Sequence, residues 1–367
     1  MSPAPSKLLQ LPWNAKKGVL DNLNILDIIC LSLASPDMYT VAKSANRRLH
    51  HIQWIFDDND YQIGTRITLA AKKETEEYII KFPCPEEMEN NRTECCQGKG
   101  YLDAFSKFSL QGTVFFLSVN QKNNQLVIDY GQPVKELQMM AMKLFSEHLW
   151  ELFRFGEHQL LFYSNEKLND CFVFNITKQF AMLEIENSED GRTMTSGEIQ
   201  FALETLKYEE IDFRPHARKR SYVRPLVSKH ITTEDGRWLG VESIIKSESV
   251  SICLYKNSLK DDELNMIVRA WMEGGLPNLQ CLTMNFEGRP MNSRKKIFRE
   301  VSTVPADETN RPPYYHEMRL EDWLKNEDAV DITSKDGLSA TITLGPVHGR
   351  PGFGIFVWQD KYNLKDD

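Results

Sequence analysis

The chain has 367 residues, of which 41% are hydrophobic and 26% are charged, and its formal net charge is −8. This length allows two or three domains with a sizeable core. The acidic balance argues against a general nucleic-acid-binding protein, and the lack of about eighteen uninterrupted apolar residues argues against a transmembrane helix.

The first fifty residues predict three short helices. Apolar residues at helical spacing predict the first from about Trp13 to Leu23, where Gly18 costs roughly 1 kcal/mol relative to alanine. Asn24 predicts the N-cap of a second, nearly all-apolar helix, and Ser35-Pro36-Asp37 predicts the start of a third. The second helix is either the core helix of a larger fold or a helix that a partner covers on one face.

The run Leu8-Leu9-Gln10-Leu11-Pro12, followed by these helices and their caps, resembles an F-box. The resemblance implies that residues 5–50 form a three-helix module that docks onto a Skp-type adaptor of a cullin-RING ubiquitin ligase. The polar start of the first helix departs from the family pattern, so a free-standing interaction protein is the alternative. The resemblance assigns adaptor binding to Leu9, Leu11, Pro12, Leu20, Leu23, Ile28, Ile29 and Leu31.

Residues 61–131 predict two β-hairpins, and residues 133–153 predict a periodic helix. His50-His51, ahead of the hairpins, is expected at the exposed end of the third helix rather than in a metal site. The hairpins pair Arg66–Ala70 with Tyr78–Phe82 across a charged turn, and Thr113–Val119 with Gln125–Asp129 across an Asn-rich turn.

Strands and helices alternate in the second half of the chain. Capped helices begin near Thr195 and Ser258, and the alternation predicts parallel pairing in an irregular leucine-rich-repeat-like α/β solenoid over residues 132–300. An open doubly wound sheet is the alternative, but the glycine-rich phosphate loops typical of it are missing. The predicted fold class is therefore α+β / α/β: an F-box, β-hairpins, the solenoid, and a C-terminal β-meander over residues 301–367. The predicted strands begin near Gln159, Ala181, Glu210, Val250 and Gln280.

The motif Arg269-Ala270-Trp271-Met272-Glu273-Gly274-Gly275, within Ser258–Phe286, resembles the type 2 F-box-associated domain, a family expanded chiefly in nematodes. The stretches Ala329–Gly337 and Phe356–Trp358 are similar to the tail of that family. Together with the F-box, the resemblance implies the substrate-recognition subunit of an SCF-type (Skp-cullin-F-box) E3 ubiquitin ligase. Its C-terminal domain would bind a target protein.

The motif residues also have structural interpretations. Trp271 lies on the apolar face of its helix, which predicts a core anchor, and Gly274-Gly275 predicts a left-handed C-cap. Asp336-Gly337 predicts a hairpin turn, and Asp235-Gly236 before Trp238 predicts another.

No known catalytic motif is present in the sequence, and we expect the chain not to be an enzyme. Glu184 and Glu186 share one strand face, as the two carboxylates of a hydrolase would. A strand with one face in solvent explains this pattern. An enzyme with an unrecognised site is the alternative function. The seven irregularly spaced cysteines indicate a reducing intracellular compartment, cytoplasmic and/or nuclear.

We expect no metal or cofactor, and neither a nucleic acid nor a membrane as a partner. Cys84 with Cys95-Cys96 lacks the spacing of zinc ligands. The basic run Arg214–Arg220 is interpreted as an exposed loop rather than as a phosphate patch or a nuclear signal.

Overall fold

A computed structural model describes residues 7–57, 65–71, 76–88, 106–164, 166–186, 193–215, 217–218, 222–286, 293–306, 314–315, 318–319, 329–347 and 350–358. The chain divides into two compact units. The N-terminal unit comprises Met1–Glu166 and Asp170–Ala181, and the C-terminal unit comprises Lys167–Asn169 and Met182–Asp367. This division does not test the four domain boundaries given above, which stay predictions.

Four helices begin the N-terminal unit: α1 (Lys7–Gln10), α2 (Trp13–Asn22), α3 (Ile25–Ala34) and α4 (Pro36–Ser44). The three predicted helices and both predicted caps are confirmed, whereas the short α1 was not predicted. The Asn24 side chain accepts a hydrogen bond from the Asp27 amide at 2.8 Å. The Ser35 hydroxyl accepts one from the Met38 amide at 3.2 Å. Each cap satisfies a backbone donor that the helix itself cannot pair.

The rest of this unit is a mixed sheet with one long helix. Its strands lie in the order β7-β1-β2-β3-β6-β5-β4, in which β2–β3 and β5–β6 are the two predicted hairpins, while β1–β7 and β3–β6 pair in parallel. The elements are β1 (Arg48–Asp57), β2 (Arg66–Ala70), β3 (Glu77–Lys81), a helical turn α5 (85–88), β4 (Ser106–Leu110), β5 (Thr113–Asn120), β6 (Gln125–Asp129), α6 (Lys135–Leu152), β7 (Arg154–Tyr163) and α7 (Val173–Ile176).

The prediction that His50-His51 ends a helix is wrong, because both residues lie in β1, where His51 is in register with Ala70. The chain leaves α4 at Ser44, and the alternating apolar residues of β1 place it in the sheet instead. The Trp54 indole of the same strand donates a hydrogen bond to the Ser146 hydroxyl of α6 at 3.0 Å. Phe145 of α6 packs edge to face on Phe82 and Phe115, with ring centroids 5.8 Å and 6.1 Å away.

The strands of the C-terminal unit lie in the order β8-β9-β10-β11-β12-β18-β17-β16-β13, with β14–β15 as a separate pair. Strand β8 begins in the N-terminal unit and continues here from Met182. The elements are β8 (Gln179–Glu186), α8 (Ser196–Gln200) with a π-helical turn (Phe201–Thr205), β9 (Lys207–Arg214), β10 (His230–Thr233), α9 (Val241–Ile245), β11 (Ser251–Asn257), α10 (Asp261–Met272), β12 (Cys281–Phe286), α11 (Arg294–Ile297), β13 (Val304–Pro305), β14 (Tyr314–Tyr315), β15 (Met318–Arg319), β16 (Val330–Thr333), β17 (Ser339–Val347) and β18 (Arg350–Trp358).

Strands β9, β10, β11 and β12 pair in parallel and follow one another in chain order, so the predicted parallel pairing is confirmed. The prediction missed β10, whose four residues make too short an apolar run to stand out. Beyond β12 the pairing is antiparallel, through β18, β17 and β16, which is the predicted C-terminal meander.

One of the two predicted hairpin turns is wrong. Asp235-Gly236 leads from β10 toward β11, and these strands are parallel, so no hairpin joins them. The Asp235 carboxylate instead accepts a hydrogen bond from the Arg237 amide at 3.1 Å and caps the 3₁₀ turn Gly236–Trp238, in which Trp238 is buried. The other turn is confirmed, because Gly337, with φ +82°, lies between antiparallel β16 and β17.

Candidate functional site

The first candidate surface consists of apolar side chains that α2 and the preceding turn leave in solvent. Leu11, Trp13 and Val19 are 37%, 49% and 38% exposed, and Pro12 beside them is also exposed. Leu9, Leu23 and Leu31 are half-buried. Removing a large apolar side chain from water is favourable, and a partner that covered these residues would provide that burial. These positions therefore suit an interface.

Three of the eight residues predicted to contact an adaptor lie in the core instead. Leu20, Ile28 and Ile29 are each 0% exposed and therefore have no surface to offer a partner. Burying each of these aliphatic side chains contributes about 1.5–3 kcal/mol to the stability of the folded unit. The Arg47 guanidinium adds to this by donating hydrogen bonds to the carbonyls of Leu20 and Leu23 at 2.6 Å and 3.0 Å.

The second candidate surface lies on one face of the sheet in the C-terminal unit. Along β9, Ile211 and Phe213 are buried, so the alternation of a strand puts Asp212 and Arg214 on the opposite, half-exposed face. One recess of this face has a volume of about 450 Å³. Its lining residues are Asp212, Arg214, Thr232, Glu234, Tyr255 and Lys256.

Arg214 is the centre of the charged groups on this face. Its guanidinium lies 2.6 Å from the Asp212 carboxylate and 3.1 Å from that of Glu186. The carboxylates of Glu184 and Glu234 lie 3.7 Å away. Hydrogen bonding to Asp212 raises the pKa of Arg214, so the cation is permanent. Four carboxylates thus surround one guanidinium, which leaves the cluster with an excess of negative charge.

This geometry changes two interpretations made from sequence. Glu184 and Glu186 do share a strand face, but they are ion-paired to Arg214 rather than only solvated. Arg214 itself ends β9 and is not part of an exposed basic loop; its contacts with carboxylates also make it a poor phosphate ligand. His216, Lys219 and Arg220 of that run lie outside the described residues.

The motif that ends α10 has a structural role. Trp271 is buried, and Gly274 has φ +84°, the predicted left-handed C-cap. Gly275 does not share that conformation; a Cβ there would lie 2.8 Å from the Ala270 carbonyl oxygen, so close packing of the backbone requires glycine.

The two motif stretches of the C-terminal unit meet at this point. A Cβ on Gly274 would lie 2.6 Å from Cε of Lys335 and 3.2 Å from the Asp336 carboxylate. The Lys335 amide also donates a hydrogen bond to the Met272 carbonyl at 2.8 Å. The turn that contains Asp336 and Gly337 therefore packs on the C-terminus of α10, a contact that sequence spacing did not reveal.

Among the described residues, no three or more His, Cys, Asp or Glu side chains are grouped so that they could hold a metal ion. Cys95 and Cys96 lie outside the described residues. None of the described helices has the length and apolar character needed to cross a membrane.

Comparison with known proteins gives one match. Residues 225–284 match the family model described as F-box associated. The matched segment contains β10, α9, β11 and α10 and most of β12, so it includes Trp271, both glycines of the C-cap and part of the recess around Arg214. No curated protein and no solved structure matches the chain.

Proposed function

We propose that this protein is the substrate-recognition subunit of an SCF-type E3 ubiquitin ligase. The observation that carries the proposal is the F-box-associated match at residues 225–284, which suggests an F-box context. The helices α2, α3 and α4 support it, because they lie where the F-box of residues 5–50 is expected, and α3 and α4 carry the expected caps. The finer resemblance to the type 2 domain of the nematode-expanded family belongs to the same proposal.

In this proposal, the N-terminal helices dock onto a Skp-type adaptor and, through it, a cullin. Leu9, Leu11 and Pro12 would make the contact, joined by exposed Trp13 and Val19. The C-terminal unit would be the leucine-rich-repeat-like solenoid that binds the target protein; the sequential parallel order of β9 to β12 supports this.

The proposed mechanism is proximity. Binding raises the concentration of the target beside the active site of another protein, so this chain would supply neither a catalytic residue nor a cofactor. The ligase would work inside the cell, in the cytoplasm and/or the nucleus.

Adaptor binding tests the proposal directly. Changing Leu11→Ala together with Pro12→Ala should weaken adaptor binding by at least ~2 kcal/mol, roughly thirtyfold, because interface energy concentrates in a few apolar anchors. The measurement is co-purification with a Skp-type adaptor, followed by titration. Val223→Ala with Val227→Ala is the matched control, since both valines are exposed in the C-terminal unit. Equal adaptor binding by the parent and the Leu11/Pro12 variant would refute the docking assignment.

A free-standing interaction module is the second candidate. It is favoured by the polar Asn14, Lys16 and Lys17 of α2, and by the burial of Leu20, Ile28 and Ile29 within their own unit. Failure of the unmodified chain to bind any Skp-type adaptor would favour this candidate over the ligase subunit.

A further inference from the structure

Strand β4 is the last strand in the order of its sheet, so one of its edges has no neighbouring strand among the described residues. Its other edge pairs with β5 through the turn Gln111-Gly112. The φ angles of these two residues are +49° and +82°, which is the type I′ geometry of a two-residue hairpin. Leu110 and Thr113, which flank this turn, therefore form a hydrogen-bonded pair.

This register identifies the backbone groups that β4 leaves at its open edge. Hydrogen-bonded and non-hydrogen-bonded pairs alternate along an antiparallel ladder. Phe108 therefore bonds to β5, whereas the N–H and C=O groups of Lys107 and Ser109 point away from it. Both residues are exposed, and their outward groups make no hydrogen bond to another described residue. Strong donors and acceptors thus lie in strand geometry along one edge.

A cleft of about 940 Å³, wholly within the N-terminal unit, runs along this edge. Side chains of a strand alternate between its two faces, so a cleft confined to one face would be lined by every second residue. This cleft is lined instead by every residue from Ser106 to Gln111. It therefore includes the open edge of β4 itself.

The facing wall of the cleft belongs to the junction of α3 and α4 and to α6. It combines apolar with polar side chains, among them Leu33, Pro36, Ser32, Glu147, His148 and Glu151. The Ser32 hydroxyl lies 2.7 Å from Nε2 of His148, and this hydrogen bond joins α3 to α6. The wall is therefore formed before a partner arrives, and a preformed groove lowers the entropy that binding costs.

We propose that this groove binds an extended segment of a partner protein, which adds to the sheet as a strand beside β4. Its backbone would pair with the outward N–H and C=O groups of Lys107 and Ser109. Every second side chain of the segment would point into the cleft toward Leu33 and Phe108. An extended backbone is the partner that presents donors and acceptors at the spacing of this edge. The site goes beyond the proposed ligase function and does not depend on it.

Two variants of one residue separate backbone pairing from side-chain contact. Ser109→Pro removes an outward N–H without removing a bond to β5, and an edge strand tolerates proline at such a position. Ser109→Ala is the matched control, because it shortens the side chain but keeps the N–H. Circular dichroism and adaptor co-purification of both variants show whether the chain still folds and whether the proposed ligase function is affected.

Peptides displayed on phage provide a probe without knowledge of the partner. Random twelve-residue peptides are first depleted on Ser109→Pro and then selected on the parent chain, and the best binder is synthesised with a fluorescent label. In fluorescence anisotropy, Ser109→Ala should bind this peptide like the parent, and Ser109→Pro about tenfold or more weakly, the size expected for one lost hydrogen bond. A selection without binders, or equal weakening by both variants, would overturn the proposal.

A second form of the peptide tests its own backbone. N-methyl groups on the backbone of its central residues keep the side chains but remove the donors, so the affinity should fall about tenfold or more. Equal affinity of the two peptides would contradict the addition of a strand.

Amide exchange of the unmodified chain covers the case in which Ser109→Pro fails to fold. By NMR, saturating peptide should slow the exchange of the Lys107 and Ser109 amides and leave that of Phe108, which already bonds to β5, nearly unchanged. Equal slowing at all three amides, or at none, would refute pairing at this edge.

A second copy of the chain is the competing occupant of the edge. Light scattering of the parent and of both variants measures it. A dimer that Ser109→Pro dissociates and Ser109→Ala does not would show that β4 pairs with β4 of another copy, and would overturn the assignment to a partner protein.

Discussion

Trp271 and Met266 are side chains of the same helix, α10, but they differ in exposure, at 3% and 43%. Trp271→Ala should leave a cavity beneath the helix and lower the free energy of unfolding by about 3–5 kcal/mol. Met266→Ala should change it by less than about 0.5 kcal/mol, because the side chain is largely in solvent. Urea denaturation of both variants measures the difference. Equal stability of the two would mean that Trp271 is a recognition residue rather than a core anchor.

His148 should make the stability of the N-terminal unit depend on pH. The pKa of His148 is about 4 in the folded chain, whereas the ordinary value, which applies to the unfolded chain, is 6.5. Between these two pH values the folded chain therefore binds fewer protons than the unfolded chain. The stability is therefore complete above pH 6.5 and falls as the pH is lowered toward 4, by about 2 kcal/mol at pH 5. Urea midpoints at pH 7 and pH 5 should fall less in His148→Phe than in the parent. The same fall in both would show that other groups cause it.

At the scale of an element, α2 is weakened by its own sequence. Gly18 lies in its interior with φ in the ordinary range, and a Cβ there would meet nothing within 4 Å. Gly18→Ala should therefore stabilise the N-terminal unit by up to about 1 kcal/mol, because alanine loses less backbone entropy in a helix.

Gly156→Ala, in β7 of the same unit, is the control, because it should lower the stability instead of raising it. Its Cβ would lie 2.9 Å from the His50 carbonyl oxygen, a backbone atom that cannot easily move. In thermal unfolding, the melting temperature of Gly18→Ala should be higher than that of the parent, and the melting temperature of Gly156→Ala should be lower. Destabilisation by Gly18→Ala would mean that the exposed face of α2 is already in contact with another group.

Elements with local signals could be predicted from the sequence. The caps at Asn24 and Ser35 and the capping box of Thr195 with Glu198 use side chains within three residues of the backbone groups they satisfy. The hairpins and α6 follow from periodicity alone. Asp235-Gly236 shows the limit, because an Asp-Gly pair suits several turns and the parallel partner of β10 decides between them.

The candidate sites depended more on distant contacts, and most of them could not be predicted. Arg214 meets Glu184 and Glu186 only because β8 and β9 are neighbours in the sheet. Ser32 and His148 are 116 positions apart in the chain, and no pattern in either helix relates them. Ile28 and Ile29 are buried because of how α3 packs in the unit. An apolar run by itself does not show which of its residues are buried within the chain and which face a partner.

At the scale of the whole molecule, the division into two compact units predicts separable local stability. Trp271→Ala should speed amide hydrogen exchange in β11 and β12 and leave β1, β2 and β3 unchanged. Mass spectrometry of exchanged peptides measures this, with Met266→Ala as the control. Equal acceleration in both sets of strands would show that the units unfold as one.

The antiparallel neighbour of β12 has a consequence for biosynthesis. Strand β12 pairs with β11 on one side and with β18 on the other, and the whole of residues 287–349 is translated between β12 and β18. At about 5–20 residues per second, the nascent chain exposes an open strand edge for several seconds. Such edges template aggregation, so holding by chaperones would matter most in this interval. A transcript cut before Gly352 would encode a chain in which this edge never closes.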